Sequence, residues 1–160
     1  MNKLVKEVEN SEDRGFTLIE LLIVIFIGLM LITLGLSSFS TFRKSNSLLT
    51  SHSIVISALT EARSLTLFST NASVYGVHFA STSITRFTGT SYNPLAGDNV
   101  VYSLETGSVV GHLGLSPFTY NVTFQRLTGQ PSATGTIELQ LGQDASMKNN
   151  VILDQTGIAH

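Results

Sequence analysis

Two patterns of hydrophobic and polar positions divide the chain. From Phe16 to Leu36 apolar residues follow one another with Glu20 as the sole ionisable side chain, no Pro and no alternation. A helix over this run covers roughly 31 Å at about 1.5 Å per residue, the thickness of a bilayer core. A soluble core helix would show a polar face, so the pattern predicts a membrane-spanning one. Beyond Ser37 polar residues enter. Leu48, His52, Val55, Leu59, Ala62 and Leu65 recur in steps of four and three, which is one helical face. The helix is predicted to continue to about Ser69 and to stop at Asn71-Ala72-Ser73. Its Ser and Thr content weakens its intrinsic propensity, so it needs a sheet to pack against.

After that stop the pattern turns to β. Val74-Tyr75-Gly76-Val77-His78-Phe79 and Ile84-Thr85-Arg86-Phe87 read as strands, followed by a loop from Thr88 to Asn99 rich in Gly, Asn, Pro and Ser. Val100-Val101-Tyr102-Ser103-Leu104 is a third strand. Tyr120, Val122 and Phe124 alternate with polar residues, as do Ile137, Leu139 and Leu141, so each set predicts a strand with one buried side. Gly129 and Gly135 flank a turn that should join Phe124 to Ile137 as a loose hairpin, and Val151-Ile152-Leu153 closes the series. A long helix followed only by strands gives an α+β fold, with an antiparallel sheet laid on the amphipathic part of the helix. The expected organisation is a leader over 1–15, a membrane helix over 16–36, its amphipathic continuation over 37–70 and a β-rich head over 71–160.

Glu20 stands out within the apolar run. A charge at the centre of a membrane helix costs about 2.5–3.5 kcal/mol, and less near an end. One reading places it at the solvated headgroup boundary. The other gives it a partner: a cut after Gly15 would leave an α-amino group on Phe16, four residues before Glu20, which suits an ion pair within one helix or between neighbouring helices. An ordinary secretory signal cut near Ser38 or Ser40 fits less well. The leader is not positively charged, the apolar run is too long, and it contains an acid. Arg14 should keep the amino-terminal end cytoplasmic. Gly28 and Gly35 lie seven residues apart on nearly one face, as close helix packing would use them.

Composition excludes more than it identifies. The 160 residues contain no Cys, so there is neither a disulfide framework nor a thiolate metal site. Formal net charge is -2, and from Phe16 onward six basic side chains face seven acidic ones, so no strongly basic nucleic-acid surface is encoded in bulk. His52, His78, His112 and His160 are widely spaced and match no metal-binding spacing. No G-x-S-x-G, phosphate-binding or dinucleotide fingerprint occurs. Gly142-Gln143-Asp144-Ala145-Ser146 reads as a turn rather than a calcium loop. Asn71-Ala72-Ser73 and Asn121-Val122-Thr123 match the glycosylation acceptor pattern, one that Ser/Thr-rich chains produce readily. No cofactor, metal or catalytic residue is expected.

Gly15-Phe16-Thr17-Leu18-Ile19-Glu20-Leu21-Leu22 resembles the prepilin cleavage and methylation motif of type IV pilins and type II secretion pseudopilins. The resemblance implies that a prepilin peptidase of the bacterial inner membrane cuts between Gly15 and Phe16 and methylates the new amino group of Phe16. Glu20 would then pair with a neighbour's amino terminus as the filament forms. The implied partners are the peptidase, other pilin or pseudopilin subunits, membrane lipid and an assembly platform protein. The protein would start as a single-pass inner-membrane subunit and end in an extracytoplasmic filament. Many major pilins carry Pro just after the membrane half, whereas Leu36-Ser37-Ser38-Phe39 has none, which leaves the subtype open. Glu61-Ala62-Arg63-Ser64, Val74-Tyr75-Gly76-Val77, Val122 to Gly129, and Val151-Ile152-Leu153 with Gly157 are similar, more weakly, to the minor pseudopilin H and related minor pilin branch. A structural subunit is therefore the first reading and an enzyme the last. The alternative is a binding module at a filament tip. For DNA it would need Arg86, Arg126 and Lys148, with Arg43 or Lys44, clustered near aromatics such as Phe87 or Tyr92.

Overall fold

The computed structural model describes residues 15–142 and 144–160; the surroundings of the side chains at 34–38, 144 and 145 also fall outside that description. Of the expected leader, only Gly15 is therefore described. The chain forms two compact units, Met1–Ser40 and Thr41–His160. Helix α1 runs from Leu18 to Leu67.

From Leu18 to Ile32 α1 has no polar side. Every large apolar side chain from Leu18 to Ile32 is exposed, and because successive residues step around the axis these side chains occupy all its faces. Burying a large aliphatic or aromatic side chain is worth about 1.5–3 kcal/mol. For this set of side chains the sum is on the order of 20 kcal/mol. Among the described residues, no helical stretch is long and apolar enough to cross a membrane.

The second unit is an α+β domain. Leu48, Val55, Ala58, Leu59 and Ala62 are buried along one face of α1, with the small polar residues Ser51 and Thr66 interleaved. The sheets supply the rest of the core. Strands β1 (Tyr75–Phe79), β2 (Ser83–Thr88), β3 (Val100–Ser103), β4 (Ser108–Ser116), β5 (Asn121–Thr123), β6 (Thr134–Leu141) and β7 (Asp144–Leu153) form two antiparallel sheets. Their orders are β3-β2-β1-β5 and β4-β6-β7. Tyr75, Val77, Phe79 and Ile84 from the first sheet join Leu113, Leu115, Ile137, Leu139, Leu141, Val151 and Leu153 from the second in one cluster with α1.

Polar side chains tie α1 to the first sheet. Buried Thr66 donates its hydroxyl to Ala62 O (2.8 Å) and accepts the Tyr75 N–H (2.9 Å). A turn further back, the Glu61 carboxylate accepts the Tyr102 hydroxyl. It also lies 3.2 Å from Arg86 Nε, an ion-pair distance without hydrogen-bond alignment. The Arg86 guanidinium sits 5.5 Å from the centre of the Tyr75 ring. The register explains the convergence: Val77↔Arg86 and Ile84↔Tyr102 place these residues on the helix-facing side of the sheet.

The other side of that sheet is also covered. Gly76 pairs with Phe87, and a Cβ at Gly76 would lie 2.5 Å from the Phe87 ring. The missing side chain lets the ring lie across the strand. Tyr92 stacks on His78 with centroids 4.0 Å apart and leans on Phe87, anchoring the loop that follows β2.

Several expectations need correction. The hairpin predicted between Phe124 and Ile137 does not form: β5 pairs with β1, whereas β6 pairs with β4 and β7. Only an isolated bridge, Phe124↔Pro131, follows β5. β4 arises where no strand was predicted, and β7 is far longer than Val151–Leu153. Tyr120 precedes β5 and is exposed rather than on its buried side. The helix ends at Leu67, slightly early, through left-handed Ser69 (φ 51) and a 3-10 turn over Thr70–Ala72.

Candidate assembly site at the helix amino terminus

Gly15, Phe16 and Thr17 lie outside the helix and are exposed. A Cβ placed on Gly15 would meet nothing within 4 Å, and Phe16 is 83% exposed. Among the described residues, nothing covers the Gly15–Phe16 peptide bond. Thr17 starts the helix. Its hydroxyl accepts the Glu20 N–H (3.2 Å) and its carbonyl accepts the Leu21 N–H (3.2 Å). Thr17 is thus the N-cap and Glu20 the third residue of α1, the spacing of a capping box. Sequence reasoning missed Thr17, although the Thr-x-x-Glu spacing was there to read.

This position has an electrostatic meaning. The first turn of a helix presents unpaired N–H groups and the positive end of the macrodipole, which favours a carboxylate by about 0.3–1 kcal/mol. Glu20 is the acidic residue of that turn, so the fold itself holds it where the exposed residues Gly15–Thr17 meet the apolar run. An ammonium group on Phe16 would have the opposite relation: beside the positive helix end it is disfavoured unless a carboxylate faces it.

The other residues singled out from sequence do not converge. Arg86 faces Glu61, Lys148 of β7 pairs with Glu138 (3.0 Å), and Arg126 donates to Ala72 O (3.4 Å). They stand on separate elements and each is engaged. Phe87 and Tyr92 pack on the sheet rather than beside a cationic groove. The histidines are dispersed too. His52 contacts Asn150 O, His78 bonds Asn121 Oδ1 (2.7 Å), and His160 lies 3.7 Å from Asp154. Among the described residues no group of His, Asp or Glu could hold a metal ion. Of the turn expected over 142–146, Gln143 lies outside the described residues, and Asp144 opens β7. Of the two glycosylation patterns, Asn121 is engaged with His78, while Asn71 sits in the 3-10 turn.

Comparison with known proteins adds one finding. Residues 10–36 match the family model described as the prokaryotic N-terminal methylation motif, which marks type IV pilins and pseudopilins. The match covers Gly15, Phe16, Thr17, Glu20 and the apolar run. No curated protein and no solved structure matches the chain.

Proposed function

We propose that this protein is a prepilin-like structural subunit, cut between Gly15 and Phe16, methylated on the Phe16 amino group and assembled into a type IV pilus or a type II secretion pseudopilus. One observation carries the reading: the methylation motif over residues 10–36 runs directly into a helix that exposes apolar side chains on every face. Such a surface requires an apolar surrounding at each stage. Inner-membrane lipid provides it first, and the helices of other subunits provide it in the filament. The run over 16–36 is the proposed membrane segment, 37–70 its continuation, and 71–160 the head that meets partners.

Processing and register follow from the helix start. Cutting the exposed Gly15–Phe16 bond removes the leader and leaves a cation at the positive end of α1. The subunit's own Glu20 compensates it in part, and a neighbour's Glu20 completes the pairing. A mispositioned neighbour leaves a charge unpaired in an apolar bundle, at about 2.5–3.5 kcal/mol on insertion scales. The Phe16–Glu20 contact therefore fixes the axial stagger between subunits. The proposed partners are a prepilin peptidase, other pilin or pseudopilin subunits and an assembly platform protein.

The test is the mass of the mature protein in cells with and without the peptidase. Loss of residues 1–15 together with one added methyl group is expected when it is present. Gly15→Leu should leave the precursor intact, and normal processing of that variant would refute the assignment.

A further inference from the structure

The four free sheet edges are not alike. β5 has three residues, and the following loop covers it: Ser132 N–H donates to Thr123 O (2.8 Å) and Thr123 N–H to Ser132 Oγ (3.0 Å). β3 has four residues. On β7 the carboxy-terminal residues pair back, Ile152 and His160 exchanging both backbone bonds, and Lys148 stands on the strand. These are the usual ways of blunting an edge. β4 carries a bulge at Val110/His112, but none of the devices seen on β3, β5 and β7 reaches its second half. The β1–β2 turn covers it as far as Val110, whose N–H donates to Ser81 O (2.8 Å). From Gly111 to Ser116, among the described residues, the backbone pairs only with β6. That stretch contains no Pro, Lys, Arg, Asp or Glu.

A pocket adjoins this edge. About 260 Å³ lies between the end of β1, the bulge of β4 at Val110/His112 and the segment after β4. Phe79, Val110 and Leu113 form its floor, and Phe118 and Tyr120 stand at its mouth. Those two rings meet edge-on at 5.3 Å yet remain 65% and 56% exposed.

We propose that β4 and this pocket form a docking site for an extended, uncharged segment of a partner polypeptide. Its backbone adds a strand to the second sheet along Gly111–Ser116, and one of its apolar side chains enters the pocket beside Phe118 and Tyr120. Unpaired strand N–H and C=O groups are satisfied along a line only by another strand, which selects a polypeptide over a sugar or a lipid. The pocket beside that line selects the side chain, and with no Lys, Arg, Asp or Glu along Gly111–Ser116 to pair with a charge, the segment that fits is uncharged. This site is separate from the helix amino terminus, so its failure would leave the processing assignment untouched.

The test uses the full chain in detergent micelles. The probe is a short uncharged peptide in which threonine alternates with valine around a central phenylalanine; a version methylated on its backbone nitrogens is the control. Amide hydrogen exchange is read residue by residue. The first peptide should slow exchange within Gly111–Ser116, the methylated one should not, and Phe118→Ala with Tyr120→Ala should weaken binding by at least about tenfold. Helical circular dichroism shows whether that variant remains folded. Equal effects of both peptides would overturn strand addition. So would protection that appears on β3, or no protection at all. Slowed exchange in the absence of peptide that grows with protein concentration would overturn the partner in favour of a second copy of this chain.

Discussion

Thr66→Val tests how the head is held to the helix. Valine keeps the shape of threonine and its branching at Cβ, so packing in a fully buried position is preserved. What it removes is the acceptor for Tyr75 N–H, 2.9 Å away, and the donor to Ala62 O. The Ala62 carbonyl lies within the helix and loses only a second bond. Tyr75 N–H has no other partner among the described residues, and Tyr75 is 4% exposed. An unsatisfied buried donor costs about 1–3 kcal/mol, and that is the expected loss of unfolding free energy in urea. Thr66→Ser separates the two contributions, because it keeps the hydroxyl and deletes one methyl, a loss of about 0.8 kcal/mol. Amide exchange identifies the cause: Tyr75 should exchange fast in Thr66→Val and slowly in Thr66→Ser. If Thr66→Val is within about 0.5 kcal/mol of the parent, or Tyr75 stays protected in it, the hydrogen bond is not what fastens the first strand to α1.

Two further predictions address charge. Glu20→Gln keeps the size of the side chain and removes its charge; the protein should still enter the membrane but be largely missing from sheared filaments, and wild-type incorporation would refute the pairing role. Burial first, and then the bond it donates to the Glu61 carboxylate, raise the Tyr102 hydroxyl pKa above its ordinary value of 10.0. The folded chain thus holds this proton more tightly than the unfolded one. The stability so conferred is complete below the unfolded pKa and is lost as pH rises from there through the folded value. Tyr102→Phe should therefore lack a phenolate that forms above the ordinary tyrosine value in an ultraviolet titration, and its stability should fall less steeply with pH there. An unchanged titration curve would place the raised pKa elsewhere.

How legible each part was depends on how few physical rules fix it. The helix over the apolar run could be read because the run has no Pro and no alternation. On α1, Leu48, Val55, Leu59 and Ala62 were legible by spacing. Ser51 and Thr66 were not, because composition gives no hint that a polar residue is buried until its partner strand is known. β6 announced itself by alternation. β4 did not: Gly111 sits at a bulge and Gly114 takes an outward position, so only Leu113 and Leu115 mark the strand. The hairpin failed for a topological reason. Gly129 and Gly135 signal a change of direction but carry no information about which sheet receives the chain. Thr17 carries no charge and breaks no pattern, and its role, closing the first turn with a hydroxyl, shows only once the helix start is known.

The burial along α1 has a mechanical consequence. From Leu48 to Thr66 the second unit grips its helix through a row of side chains, joined by the Glu61 and Thr66 links. A pull along the helix axis loads this row in shear, so its contacts share the force instead of parting one by one. Peeling the carboxy-terminal strand β7 off the sheet instead breaks its pairs with β6 in succession. Tension applied through the amino-terminal end of α1 should therefore rupture the head at higher force than tension applied at His160, a difference single-molecule pulling can read. The same row that serves as a core in a resting subunit serves as a lap joint in a subunit under tension.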